Sequence, residues 1–281
     1  KVQNFLNLFI SNAGLIVVAT GMTIVMITGG IDISVGSVVA MVCMMLAWMM
    51  ERGNIGAFPA ILIVLATGCI FGLVQGFLVA YLKIQPFIVT LATMNVAKGL
   101  AYVYTGGSPV RVVTKEWQFL GAGYVGGVPT PVILLAVVLV ITAIIMNKTK
   151  LGRHIYAVGG NSQAARFSGI STAKVKFLVH TYSGIMAGLA GVVLASRMYS
   201  GQPTAGDGAE MDAIAAVVVG GTSMAGGSGK IGGTIIGGLI IGVLNNGLNL
   251  LNVNSFWQYV VKGTVILLAV FVDYLRNKKA E

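Results

Sequence analysis

Long apolar runs with almost no charge are the feature that most constrains this chain. Only 9% of its 281 residues are charged and 56% are hydrophobic, with a mean hydropathy of +0.90, whereas a soluble domain carries about 25% charged residues. A helix needs about 20 mainly apolar residues to cross a bilayer, so the chain has room for at most about ten spans and for no large soluble domain. We therefore predict an all-α, polytopic membrane protein with a single transmembrane domain over residues 1–281.

Nine candidate spans are separated by polar or glycine-rich breaks. They cover residues 5–28, 33–50, 58–82, 87–105, 130–147, 177–195, 211–224, 231–251 and 256–275. The seventh is too short to cross unaided and follows Pro203, Asp207 and Glu210. We predict that it is a broken or re-entrant helix, which its neighbours shield from lipid.

Glycines recur four residues apart inside several spans. Gly68, Gly72 and Gly76 follow this spacing in the third span, and Gly184 and Gly188 follow it in the sixth. Small residues at this spacing let helix backbones approach closely where lipid supplies no hydrophobic drive. The pattern therefore predicts a tightly packed helix bundle.

Basic residues decide the orientation, because cytoplasmic loops of membrane proteins carry an excess of lysine and arginine. The loop 148–176 contains no acid and is rich in basic residues: Lys148, Lys150, Arg153, Arg166, Lys174 and Lys176. We place it inside the cell with the C-terminal tail, which carries Arg276, Lys278 and Lys279. The basic residues behind the net charge of +10 then report orientation in the bilayer and not a nucleic-acid partner. Nine spans put Lys1 outside, so we expect one further helix and about ten spans in the full-length protein.

Motifs for catalysis or nucleotide binding are incomplete. Residues 227–232 match G-x-G-x-x-G but lack a preceding strand and an acid about 20 residues later. A phosphate loop would need Gly and Ser or Thr where the chain has Met224 and Ile231. His154 and His180 do not form a zinc-binding motif. We expect neither enzyme activity nor a metal or cofactor bound by this chain.

Lys98 is the strongest candidate for a residue that lines a transport path. An ionisable side chain at the centre of a span costs about 2.5 to 3.5 kcal/mol on insertion scales, so it usually faces the protein interior or water. Lys98 shares its span with Thr90, Thr93 and Asn95, which suggests a polar stripe facing a hydroxylated solute. Alternatively, its long side chain extends along the helix to the outer surface.

Other polar residues in the spans have structural alternatives to a transport role. Asn245 and Asn249 lie four residues apart on one helix face, where they either bind a sugar or, as we favour, hydrogen-bond neighbouring helices. Asp32 and Asp212 are predicted to cap the second and seventh spans. Lys262 is predicted to anchor its span at the membrane interface.

Several segments together resemble the permease subunits of bacterial ABC sugar importers, along nearly the whole chain. They are GGIDISVGS (29–37), YTGGSPV (104–110), LGRHIYAVGGN (151–161), QPTAG (202–206), EMDAIAAVVVGGTSMAGG (210–227), NNGLNLL (245–251) and residues 257–273. The resemblance is greatest to permeases for ribose. It implies import of a monosaccharide, with ribose as the first candidate, across the bacterial inner membrane by alternating access.

The resemblance also implies partners. Such a subunit pairs with a second permease copy or a homologue and sits on cytoplasmic ABC ATPase subunits, which bind ATP and Mg²⁺. It accepts sugar from a periplasmic binding protein, here on the outer loops 106–129 and 196–211.

Residues 151–170 match the coupling helix of the family, which fits into a groove on the ATPase. This assignment makes Asn161 or Ser162 the N-cap of a short amphipathic stretch. The candidate coupling residues are Gly152, Arg153, Gly159, Gly160, Asn161, Ala164, Ala165, Phe167 and Gly169. Among them Ala164, Ala165 and Phe167 are the expected docking contacts.

The main alternative is a secondary transporter or channel for a small hydroxylated solute that works without an ATPase. A broken seventh span and a polar stripe around Lys98 suit it equally well. Co-purification of a soluble ATPase distinguishes the two.

Overall fold

The computed structural model describes residues 2–112 and 114–278, and this part of the chain is mainly helical. The helices are α1 (Val2–Ile27), α2 (Val35–Glu51), α3 (Ala57–Ala80), α4 (Pro86–Val103), α5 (Lys115–Ala122), α6 (Thr130–Lys148), α7 (Lys150–Gly160), α8 (Ser162–Phe167), α9 (Thr172–Met198), α10 (Ala209–Val219), α11 (Ile231–Leu250) and α12 (Ser255–Lys278). Short strands β1 (Val110–Arg111) and β4 (Ser200–Gly201) pair antiparallel, as do β2 (Tyr124–Val125) and β3 (Val128–Pro129). Lys1, predicted to lie outside, and Lys279 of the tail predicted to lie inside are not among the described residues.

Seven of the described helices are long and apolar enough to cross a bilayer, namely α1, α3, α4, α6, α9, α11 and α12. The prediction of a polytopic helical membrane protein is confirmed at this level, but the count of nine full spans is not. The two predicted spans that fall short are α2, with 17 residues, and α10, with 11. At about 1.5 Å per residue, α10 is roughly half as long as the bilayer core is thick.

The chain reaches α10 through residues 199–208, which run alongside α2. A Cβ at Gly201 would lie 2.7 Å from the carbonyl oxygen of Cys43, in the middle of α2. A Cβ at Gly206 would lie 2.6 Å from the carbonyl oxygen of Gly36, in the first turn of α2. The segment therefore runs antiparallel to α2, from its middle to its first turn. As a result α10 begins level with the first turns of α2, inside the molecule.

The most extensive helix contact in the bundle joins α3 to α9. A Cβ at Gly72 would lie 2.6 Å from the carbonyl oxygen of His180, and one at Gly68 would lie 2.7 Å from that of Gly184. Gly76 meets the backbone of Phe177 in the same way. Only glycine permits backbones to approach so closely, so the packing predicted from the glycine spacing is confirmed for this pair.

The basic loop predicted at 148–176 is largely helical, because it contains α7, α8 and the start of α9. Its α7 is attached to the turn between α10 and α11, since the Tyr156 hydroxyl donates to the carbonyl of Gly229 at 2.8 Å. Burial raises the pKa of Tyr156, which keeps the phenol protonated as a donor. The same turn is also bonded to α1, because the amide of Gly227 donates to the carbonyl of Ile27 at 2.9 Å. We call this side of the molecule the α7–α8 end.

Candidate functional site

Two ion pairs lie beside the segment that leads into α10, in the half of the molecule away from the α7–α8 end. In the first, Lys98 of α4 donates to Asp207, and its ammonium lies 5.6 Å from the ring centroid of Tyr102. The side chains of Lys98 and Asp207 remain 29% and 46% exposed, so solvent screens their attraction. Lys98 is therefore in contact with an acid rather than extended along α4 alone.

The second ion pair is less exposed and joins three helices. Lys262 of α12 lies 2.9 Å from a carboxylate oxygen of Asp212 on α10, and the Asn245 amide of α11 donates to the same oxygen at 3.2 Å. Asp212 is not the N-cap of α10, which is Gly208, with φ of 80° and no side-chain bond, but it lies in the first turn, where its charge suits the helix dipole. Lys262 does not act only as an interface anchor, since its ammonium is paired inside the protein.

The polar residues predicted to form one stripe on α4 lie on different faces. Thr90 and Thr93 are buried, and Thr93 accepts a hydrogen bond from the Gln75 amide at 2.9 Å. Asn95 is exposed and donates to the carbonyl of Leu91 on its own helix. A helix turns about 100° per residue, so the two threonines cannot share a face with Asn95.

Both asparagines predicted on α11 contact neighbouring helices. Asn245 bonds Asp212, as described above, whereas Asn249 accepts a hydrogen bond from Gln258 of α12 at 2.9 Å. These contacts support the helix-joining alternative. They do not use the Asn245 carbonyl oxygen, which is buried with no partner among the described residues.

Two cavities of about 190 and 370 Å³ are lined in part by residues 206–212, and a third of about 580 Å³ is lined mainly by residues of α1 and α11. Asp207 lines the first two, Arg197 lines the first and third, and Asn245 lines the third. Carboxylates, an amide and a guanidinium together offer acceptors and donors for a neutral, hydroxylated solute. Arg197 was missed as a site residue, although the sequence places this basic residue only two positions after the predicted span 177–195.

A buried polar network lies at the start of α2. Asp32 was predicted to cap α2, but the N-cap is Ser34, and Asp32 instead accepts hydrogen bonds from the Ser34 amide at 3.1 Å and hydroxyl at 2.6 Å. Its second oxygen accepts from the Ser183 hydroxyl of α9 at 2.7 Å. Gln75 of α3 extends the network by donating to Ser34 at 2.6 Å. The network joins α2 to α3 and α9, and periodicity alone could not have paired these residues.

The candidate coupling segment forms two helices that meet at Asn161. The Asn161 side chain accepts hydrogen bonds from the amides of Gln163 at 3.0 Å and Ala164 at 2.9 Å, so it, and not Ser162, is the N-cap of α8. Phe167 at the end of α8 is 90% exposed and Ala164 is exposed too. Ala165, predicted as a third docking contact, is buried against the rest of the protein and cannot present its side chain to a partner.

Glycines and one arginine complete the predicted coupling residues. Gly152 and Gly159 are packed against backbone. A Cβ at Gly152 would overlap the carbonyl oxygen of Met146, and one at Gly159 would overlap that of Ile27. Gly160 has open space around it, and Arg153 is exposed. Gly169 has φ of 80° and terminates α8, a conformation that glycine adopts without strain.

The chain is similar to known transport permeases along nearly its whole length. The family described as branched-chain amino acid transport system / permease component matches residues 4–270. The chain is 48% identical to the ribose import permease protein of Bacillus subtilis, over 99% of this chain and 86% of the relative. It is 46% identical to the ribose import permease protein of Escherichia coli K12, over 99% and 87%. Identity to the L-arabinose transport system permease protein of the same organism is 40%, over 97% and 82%. No solved structure matches.

Proposed function

Since the chain belongs to the family of transport-system permease components, we propose that it is the transmembrane subunit of an ATP-driven importer for ribose. A permease component is a transport subunit and not an enzyme. The observation that carries the proposal is the identity of 46–48% to ribose import permeases over 99% of this chain. Identity to an arabinose permease is lower, at 40%, which favours ribose over that pentose.

The proposed partners follow from the family. A permease component works with an ATPase and a substrate-binding protein. We infer that the ATPase is cytoplasmic and binds the ATP and Mg²⁺, and that the binding protein docks on residues 106–129 and 196–211. A second permease copy or homologue completes the membrane part. The exposed apolar side chains of α12, where none of residues 256–275 is buried within this chain, leave room for such a neighbour or for lipid.

The proposed orientation places the α7–α8 end and the C-terminus in the cytoplasm of a bacterial cell, with the protein in the inner membrane. The basic residues of 148–176 support it through the positive-inside rule. The ion pairs and cavities around residues 206–212 then lie in the outer half of the membrane, where sugar arrives.

We propose alternating access as the transport mechanism. Asp207 belongs to the segment that leads into α10, and its partner Lys98 belongs to α4, so this pair links the segment to a separate helix. The opposite end of α10 leads to the turn at Gly227, which is bonded to α1 and to α7. A displacement of α7 by the ATPase therefore has a direct chain of contacts to α10 and to the cavities beside it.

Uptake of labelled sugars tests the proposed substrate. Proteoliposomes holding this chain with its ATPase, and supplied with its binding protein, should accumulate ribose when ATP is present. Arabinose and xylose should compete only at much higher concentrations. Uptake that proceeds without the ATPase would support a channel or secondary transporter instead, and saturation by arabinose before ribose would overturn the assignment of the sugar.

Truncation of Phe167 tests the proposed coupling segment. Because this exposed aromatic side chain ends α8, Phe167→Ser should separate ATP hydrolysis from uptake while membrane insertion stays normal. Gln163→Ala, which shortens another exposed side chain of α8, is the matched control and should keep the ratio of sugar moved to ATP hydrolysed. An unchanged ratio in Phe167→Ser would contradict docking through α8.

A further inference from the structure

A basic cavity lies at the α7–α8 end, away from the proposed sugar path. Arg166 and Ile170 of the candidate coupling segment line it, but none of the named candidate coupling residues does. Its volume is about 520 Å³, and it is bounded by the ends of α3, α4, α8 and α9. Three basic side chains line it: Lys83 from the turn between α3 and α4, Arg166 from α8 and Lys176 from α9. The remaining lining residues are apolar or neutral, including Ser171 and Thr172.

The positive charge of this cavity has no counter-ion within the described part of the chain. No carboxylate is among the lining residues, and the ion pairs of the described residues join Lys98 to Asp207 and Lys262 to Asp212. Three cations around one cavity repel each other, and an anion bound among them would relieve that repulsion.

The backbone around the cavity also favours an anion. The turn that carries Lys83 holds this residue at φ of 58°, a left-handed conformation that is uncommon for a lysine. The turn leads directly into the first turn of α4, and Ser171, at the N-cap of α9, lies on the same cavity. The positive ends of two helix dipoles thus add to the three side chains.

The position of the cavity indicates which anion can reach it. It lies where three membrane-crossing helices, α3, α4 and α9, begin or end, which is the level of lipid headgroups. Leu82 and Phe87 adjoin the lining residues Lys83 and Pro86 in the sequence and are about half exposed, at 55% and 50%, so they offer an apolar surface for acyl chains. A neutral sugar would leave the three positive charges uncompensated. We propose that this cavity binds the phosphate of an anionic phospholipid headgroup, as basic pockets between transmembrane helices do.

Binding of defined lipids to the full chain tests this proposal. The protein is purified in neutral detergent and titrated with dioleoyl phosphatidylglycerol or with dioleoyl phosphatidylcholine, and bound lipid is counted by native mass spectrometry. The unaltered protein should retain phosphatidylglycerol in preference to phosphatidylcholine. The combined variant Lys83→Gln, Arg166→Gln and Lys176→Gln should weaken that binding by about tenfold or more, since each basic residue near anionic lipid contributes to its attraction.

A control variant with the same change of net charge distinguishes a specific lipid-binding site from nonspecific electrostatic attraction. Lys148→Gln, Lys150→Gln and Lys174→Gln remove three exposed cations of the same end that do not line the cavity, and this variant should bind within about twofold of the unaltered protein. Equal losses in both triple variants would overturn the proposal. The single change Lys176→Gln provides a milder variant should the triple change impair folding, and it should give a smaller loss of the same kind.

Inorganic phosphate distinguishes a lipid site from a site for the free ion. At millimolar concentration it should displace little phosphatidylglycerol, because it lacks acyl chains to rest on Leu82 and Phe87. If phosphate displaced the lipid completely, the cavity would be a phosphate-ion site and the lipid assignment would be wrong. Neither result depends on which sugar the protein carries, so this test can fail while the proposed import of ribose stands.

Discussion

Asn161 sets the point at which α7 ends and α8 begins. Its side-chain oxygen accepts two backbone amides that would otherwise lack partners at the start of α8. With six residues, α8 is too short to be stable by itself. The exposed position of Phe167 therefore depends on one amide side chain and on the packing of Ala165.

We predict that Asn161→Ala destabilises α8 by about 1 kcal/mol, the typical effect of losing an N-cap. Hydrogen exchange of the amides of Gln163 and Ala164 should accelerate, and ATP hydrolysis should become less tightly coupled to uptake. Asn161→Asp keeps an acceptor in the same place and should behave nearly as the unaltered protein. Equal exchange in both variants would show that the cap contributes nothing.

The Asp212 and Lys262 pair allows a test of charge compensation at the level of single residues. Lys262→Met leaves the Asp212 carboxylate in the protein interior with only the Asn245 amide as a partner. Since both side chains are partly exposed, at 24% for Lys262 and 15% for Asp212, we expect a loss of about 1 to 3 kcal/mol, less than for a fully buried pair.

The double variant Asp212→Asn with Lys262→Met removes both charges and should regain much of this stability. Thermal unfolding of all four proteins in the same detergent measures the coupling energy. Additive effects of the two changes would mean that the pair does not interact.

At the scale of helices, the contact between α3 and α9 rests on glycine. We predict that Gly72→Ala lowers stability by about 1 to 3 kcal/mol, because the added methyl group would lie 2.6 Å from the carbonyl oxygen of His180 and force the helices apart. Gly99→Ala is the matched control, since a Cβ there meets nothing within 4 Å. It should leave stability unchanged or raise it, because alanine favours helix. The midpoint of thermal unfolding in detergent distinguishes the two.

The sequence predicted helices well because apolar length is a local property. Each of the nine predicted spans coincides with a helix, but the ends differ where polar residues continue a helix beyond its apolar part. The span predicted at 177–195 is α9, residues 172–198, and begins earlier because Lys174 and Lys176 lie within the helix. Hydropathy could not show that α10 ends at Val219, where the Gly220 and Gly221 turn follows.

The candidate site was harder to predict, because it depends on contacts between distant segments. Lys98 and Asp207 are 109 residues apart, and Asp212 and Lys262 are 50 apart. A charge in an apolar run signals that a partner or water is near, but not which residue is the partner. The sequence therefore identified Lys98 as unusual and gave Asp212 a capping role, but it did not predict their partners, Asp207 and Lys262.

At the scale of the whole molecule, the proposed alternating access predicts that the segment 199–208 moves relative to α4. We predict that linking Lys98→Cys to Asp207→Cys with a short bis-methanethiosulfonate, which forms a disulfide with each thiol, blocks uptake because the link fixes α4 to the segment 199–208. The native Cys43 and Cys69 are replaced by alanine beforehand. Cleavage of the link by a reductant should restore transport.

A second linked pair shows whether the block is specific to that movement. Asn249→Cys and Gln258→Cys join α11 to α12 where these side chains are already hydrogen-bonded at 2.9 Å. These helices are adjacent in the chain and connected by a short turn, so we expect them to move together and uptake to persist when they are linked. If both links blocked uptake equally, the loss would reflect general rigidity. Full uptake with the first link in place would place the moving element elsewhere than residues 199–208.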